Sequence, residues 1–150
     1  MFVVDTNVLL YAVNDDAPEQ QRCQLAVRRW CEQHTPWYLT WGVVYEFLRV
    51  ATHPRVFRQP LTLAQAWSFL SVVLASRSVG ILSETGLHQT VASEVFSELP
   101  DLRGNVMFDT RTAILMREHG ISTIYTRDTD FNRFPFLTVI DPVTETKRRS

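Results

Sequence analysis

A chain of 150 residues with 45% hydrophobic and 21% charged residues has the composition of one folded domain, long enough to bury about 70% of the surface exposed by its unfolded form. Its apolar runs are too short for a bilayer and none has the basic flank of a leader, so a cytoplasmic location is expected. The net charge of −1 conceals an asymmetry: Lys147, the only lysine, stands beside Arg148 and Arg149, and residues 1–146 hold twelve basic against sixteen acidic side chains, a formal charge of −4. An acidic body that handles phosphates needs a local basic rim or a bound cation.

The chain opens on Met1, Phe2, Val3 and Val4 and stops at Asp5. Four apolar residues bounded by a polar cluster predict a strand buried on both faces, with Val8 to Val13 beginning a helix. Asp5 then stands at the carboxyl end of a strand, where open α/β sheets gather ligands, or it caps the helix. Residues 14–18 form a loop, and Pro18 begins a second helix to about His34, with Leu25, Ala26, Arg29 and Trp30 as its stripe. Trp37 to Trp41 read as a second strand and Gly42 to Thr52 as a helix, stopped by His53 and Pro54.

After a proline-containing loop, Thr62 caps a helix spaced through Ala64, Trp67, Leu70, Val73 and Leu74. Val79 to Leu82 is a third strand, Thr85 opens a helix ending near Pro100, and Asn105 caps a helix that carries Asp109 and stops at Gly120. Ser122 to Thr126 and Leu137 to Ile140 supply strands four and five. Strands separated by helices predict a parallel sheet covered on both faces. Cys23 and Cys31, eight apart on one helix, are separated by about 12 Å of rise, too far for a disulfide.

Three carboxylates occupy positions comparable to that of Asp5. Glu46 interrupts an apolar stretch just after the second strand, with a surface pair to Arg49 as its other reading. Asp109 lies one turn into its helix, where the macrodipole favours a negative charge in any case. Asp128 follows the fourth strand, where an Asx turn would also explain it, and Asp130 competes for the same role. A parallel sheet brings the ends of strands one, two and four to one edge. At about 5 Å separation and an effective dielectric near 20, each like-charged pair costs roughly 3 kcal/mol. Such a group holds protons or is neutralised by a hard cation, and oxygen ligands suit Mg²⁺ or Mn²⁺.

Asp5-Thr6-Asn7, then Tyr45-Glu46-Phe47-Leu48-Arg49, Asp109 followed by Ala113 and His119-Gly120, and finally Thr126-Arg127-Asp128-Thr129-Asp130-Phe131 together resemble a PIN-domain protein. Size and the lack of an appended module are similar to the VapC toxins of prokaryotic type II toxin–antitoxin pairs. The resemblance implies an α/β fold, a three-layer α/β/α domain around a parallel sheet of about five strands, spanning residues 1–142 with a basic tail at 143–150. It implies a Mg²⁺- or Mn²⁺-dependent endoribonuclease that hydrolyses RNA by metal-activated water. Asp5, Glu46, Asp109 and Asp128 match the family's acidic positions. By analogy Asp5, Asp109 and Asp128 hold the metal, and Glu46 and Asp130 join directly or through water. Asn7 orients Asp5 or caps locally, Thr126 binds water or phosphate, and Arg111 is a phosphate contact or a solvated helix residue. The family usually has Ala after its third acid, whereas here Thr110, Arg111 and Thr112 follow. The resemblance also implies a cognate antitoxin, expected on apolar surface near the second and fourth helices with a basic group in the acidic pocket, and a homodimer.

Two other classes compete with this one. An aspartyl phosphatase or receiver would want a lysine beside the phosphate, and a P-loop would want clustered glycines; the chain has neither near Asp5. A non-catalytic RNA- or protein-binding module could use Trp30, Trp37, Trp41 and Trp67 as an aromatic surface, but large aromatics at such spacing are more often core. The four histidines lack ligand spacing.

Overall fold

The computed structural model describes residues 1–145, so that Lys147, Arg148 and Arg149 of the expected basic tail lie outside the described residues. In chain order the elements are β1 (Val3–Val4), α1 (Thr6–Val13), α2 (Gln20–Glu32), β2 (Trp37–Thr40), α3 (Trp41–Ala51), α4 (Leu63–Leu74), β3 (Val79–Leu82), α5 (His88–Glu98), α6 (Val106–Glu118), β4 (Thr123–Tyr125), a 3₁₀ turn (Thr129–Arg133) and β5 (Thr138–Ile140). The sheet order is β3-β2-β1-β4-β5, and every neighbouring pair is parallel. Helical crossovers between consecutive strands impose that direction, because a parallel partner cannot be reached by a tight turn.

The central strand is the shortest one, and its composition explains its place. Val3 and Val4 are both fully buried, and they point to opposite faces. Val3 packs into the core under α6 with Ala113, Met116, Ile124, Phe131 and Phe134. Val4 packs on the other side with Val8, Leu9, Trp30, Trp37, Leu39 and Phe47. Each buried valine contributes about 1.5–3 kcal/mol, and a one-residue slip would exchange the two faces. The result is the expected α/β/α sandwich.

Local chemistry sets the helix ends, and here several expectations change. Helix α1 starts at Thr6 because Asp5 itself is the cap, its side chain accepting the Thr6 N–H. Thr40 caps α3 by accepting from Val43 N–H at 3.1 Å, which turns Trp41 from the last strand residue into the first helical one. Thr62 and Gln65 form a reciprocal capping box at α4. Asn105 makes no side-chain cap, and α6 is entered instead from Gly104 at φ +70°. Thr85 does not open α5; its hydroxyl accepts from Leu87 N–H and donates to Glu118, which holds a turn before the helix begins at His88. Gly120, at φ +68°, closes α6 as the spacing predicts.

The buried stripes are also rotated from the expected ones. In α2 Cys23, Ala26, Val27 and Trp30 face inward while Leu25 is exposed. In α4 Ala66, Leu70 and Val73 are buried and Trp67 is half exposed. Both cysteines are free thiols. Among the described residues no helix is long and apolar enough to cross a membrane.

Candidate acidic active site

Parallel strands end at one edge, and β1 ends at its middle, between β2 and β4. Asp5 continues the ladder, its N–H donating to the Tyr125 carbonyl at 3.0 Å, so that the side chain is fixed by the sheet. It is only 8% exposed. Oδ1 accepts from Thr6 N–H at 2.8 Å, while Oδ2 accepts from the Thr126 hydroxyl at 2.8 Å and the Asn7 amide at 3.1 Å. Two lone pairs on each oxygen leave Oδ2 fully used and Oδ1 with one free position.

Thr126 and Asn7 tie this carboxylate to the loop after β4. The Thr126 hydroxyl, donating to Asp5, accepts from Asn7 Nδ2 at 3.0 Å and from Asp128 N–H at 2.9 Å. Asn7 Oδ1 accepts from Arg127 N–H at 3.1 Å. The Arg127 side chain is held in turn by Glu19 at 2.9 Å and Asp141 at 3.2 Å, over the Tyr11 ring. Asn7 is thus hydrogen-bonded both to Asp5 and to the loop after β4, while the cap of α1 is Asp5.

The other acids approach from three directions. Glu46, on an exposed face of α3, accepts from the Thr6 hydroxyl at 3.0 Å, and the Arg49 ion pair is absent among the described residues. Asp109 projects from the first turn of α6. Asp128 caps the 3₁₀ turn by accepting from Asp130 N–H at 2.8 Å, a bond that folds Asp130 back toward Asp128. Asp109, Asp128 and Asp130 each offer a carboxylate oxygen, and these oxygens lie within 4.8 Å of one another. Asp128 and Asp130 therefore both lie at the cluster. The Asp128–Asp130 bond is the Asx turn expected after the fourth strand, whereas the bond from the Thr6 hydroxyl to Glu46 has no signal in the sequence.

The electrostatics are those of a strained cluster. Burial pushes the Asp5 carboxyl up to about 6, against the hydrogen bonds from Thr126 and Thr6, and the charges of Glu46 and Asp128 add to the rise. Asp109 is pushed up to about 7, first by burial and then by Asp5, Asp128, Glu46 and Asp130. All five acids therefore share one field. Without a cation the cluster holds a proton near neutrality.

Three carboxylate oxygens grouped within 4.8 Å are a donor set that suits a hard divalent cation. Asp109, Asp128 and Asp130 are the grouped donors, and the buried Asp5 is near enough for its charge to act on Asp109. Arg111 is not solvated alone: it binds Glu84 Oε1 through Nε at 3.2 Å and Nη2 at 2.7 Å, and its Nη1 lies 3.5 Å from where a Cβ on Gly42 would stand. This places a cation beside the start of α3. The histidines lie elsewhere: His88 binds Glu118 at 2.6 Å, and His119 binds the Ser83 carbonyl at 2.8 Å.

Comparison with known proteins gives a consistent family. The PIN domain model matches residues 2–137. Ribonuclease VapC33 of Mycobacterium tuberculosis is 31% identical over 145 residues, covering 97% of this chain and 100% of that protein. Ribonuclease VapC48 of the same organism is 30% identical over 138 residues, covering 92% and 94%. Among solved structures, VapBC2 from Rickettsia felis bound to a promoter DNA fragment aligns at a TM-score of 0.66 with 18% identity, covering 93% of this chain and 96% of that one. The M. tuberculosis toxin VapC20, described as cleaving the sarcin–ricin loop, aligns at 0.63 with 20% identity, covering 89% and 94%. These two structural likenesses are of fold.

Proposed function

This chain belongs to the PIN-domain family, and from that premise we propose that it is a divalent-metal-dependent endoribonuclease acting as the toxin of a VapBC-type pair. The observation that carries the reading is the convergence of Asp109, Asp128 and Asp130 within the field of the buried Asp5. Asp109, Asp128 and Asp130 would hold Mg²⁺ or Mn²⁺, and Asp5 would reach it through its remaining Oδ1 position or through water. When bound, the cation supplies Lewis-acid activation of water and charge neutralisation at phosphorus. Thr126 and Asn7 hold the Asp5 carboxylate in place, and the Thr126 hydrogen bond opposes the rise that burial causes. Glu46, anchored by Thr6 through one oxygen, has its other oxygen available to orient water.

The relatives named as ribonucleases make RNA the proposed substrate, and the solved toxin–antitoxin complexes make a cognate antitoxin the proposed partner. Leu25 on α2 with Leu63, Trp67 and Val72 on α4 are large exposed apolar side chains, and they are the proposed antitoxin surface. A cytoplasmic location and a homodimer accompany this reading. The test is incubation of the purified protein with total RNA, followed by mapping of new 5′ ends with and without Mg²⁺. Discrete metal-dependent ends support the proposal; identical end profiles with and without protein refute it.

A further inference from the structure

The exposed face of α3 carries a second feature beside the acids. Trp41, Tyr45 and Arg49 lie at i, i+4 and i+8, which on a helix makes one line rising about 12 Å. Trp41 is 44% exposed and Tyr45 68%, although two other tryptophans of the chain, Trp30 and Trp37, are buried. The two exposed rings are 6.4 Å apart with planes inclined by 44°, so neither ring is stacked face to face on the other. Arg49 makes no ion pair among the described residues. The line starts at the carboxyl end of β2, and Glu46, bound to Thr6 of the acidic site, is the neighbour of Tyr45.

We infer that Trp41, Tyr45 and Arg49 form a track for single-stranded RNA, on which an unpaired base stacks beside the acidic site while Arg49 meets a phosphate. The inference rests on the nuclease reading for its placement. Chemistry favours this occupant: the acidic cluster repels phosphates, so a strand entering it needs affinity from its bases and from a cation set back from the acids. Exposed aromatic rings in line with an arginine supply both. Stacking tolerates any base, which makes the track a contributor to strand binding and to the choice of unpaired over paired RNA.

The test uses the full chain carrying Asp109→Asn, so that binding is read without cleavage, with Mg²⁺ and a single-stranded oligoribonucleotide. Quenching of tryptophan fluorescence on binding is expected, with Trp41→Phe removing most of it. Tyr45→Ala should weaken binding about tenfold and Tyr45→Phe should restore it. Arg49→Ala should lower the slope of log affinity against log salt by about 0.7, the loss of one phosphate contact. In the chain with Asp109 intact, Tyr45→Ala should raise KM with kcat little changed, and a hairpin with the same sequence fully paired should bind no better than to Tyr45→Ala. Unchanged affinity and salt slope in Tyr45→Ala and Arg49→Ala overturn the track, even where the parent chain cleaves RNA. So does a result in which these substitutions weaken antitoxin binding alone, which assigns the face to the protein partner. Binding and quenching without any cleavage by the unsubstituted chain would keep the track and remove the nuclease reading.

Discussion

The Thr126 hydroxyl donates to Asp5 Oδ2 across 2.8 Å, although the two residues are 121 positions apart in the chain. One hydroxyl thereby joins the end of β1 to the loop after β4, and it also accepts from Asn7 and from Asp128 N–H. Thr126→Val keeps the shape and removes all three bonds. Leaving buried groups unsatisfied costs about 1–3 kcal/mol each, so we expect a stability loss of at least about 2 kcal/mol in urea unfolding, with Thr126→Ser recovering most of it. An unchanged urea midpoint in the valine variant would show that water replaces the hydroxyl.

Stability should depend on pH and cation together. Both Asp5 and Asp109 have folded pKa values raised above the ordinary 3.8, to about 6 and about 7. The folded protein therefore binds more protons than the unfolded chain between about pH 4 and 7, and metal-free stability falls as pH rises through that window. For the buried Asp5 the effect is roughly 3 kcal/mol. Unfolding measured in EDTA at pH 5 and pH 8 should show the protein less stable at pH 8, and Mn²⁺ should recover the stability lost at pH 8. A metal-free protein equally stable at both values would contradict the cluster.

Asp5→Asn separates charge from packing. The new amide can keep the bond from Thr6 N–H, but it turns a donor toward Asn7 Nδ2, while the loss of a buried charge offsets the mismatch. Stability at pH 7.5 is expected within about 1 kcal/mol of the parent in EDTA, with RNA cleavage lower by about a hundredfold or more. Full cleavage by this variant would remove Asp5 from the mechanism.

Arg127 offers a test of the loop without touching an acid. Its pairs with Glu19 and Asp141 fix the main chain next to Asp128. Arg127→Ala should weaken Mn²⁺ binding by about tenfold, because the Asp128 and Asp130 carboxylates lose their support, while the ligands themselves remain. Calorimetric titration with Mn²⁺ reads this directly, and an unchanged affinity would show that the Asn7 clamp suffices.

The fold and the acidic edge were legible because short-range rules determine them. Val3 and Val4 ending at Asp5 predict a buried central strand, alternating strands and helices predict the parallel sheet, and that sheet brings the ends of β1, β2 and β4 together. What was not legible depends on tertiary partners. Trp41 could be read as strand until Thr40 capped α3, and Leu25 and Trp67 fit an apolar stripe as well as the residues that are buried. The Asx turn at Asp128 was legible, but the approach of the Asp128 and Asp130 carboxylates to Asp109 depends on how α6 packs, which no local pattern encodes. The bond from Thr6 to Glu46 spans forty residues, and no local pattern encodes it.

The central claim is that this cluster works through a cation, and the rate of RNA cleavage as a function of Mn²⁺ concentration, for the parent chain and for Asp109→Asn, tests it most directly. The Asp109 side chain makes no hydrogen bond among the described residues and is half buried in the field of four other acids, so its substitution removes a proposed ligand with little cost to the fold. The account predicts saturable activation of the parent from zero in EDTA, and a variant lowered by about a hundredfold or more even at saturating Mn²⁺. Equal cleavage by the parent in EDTA and in Mn²⁺ would contradict it.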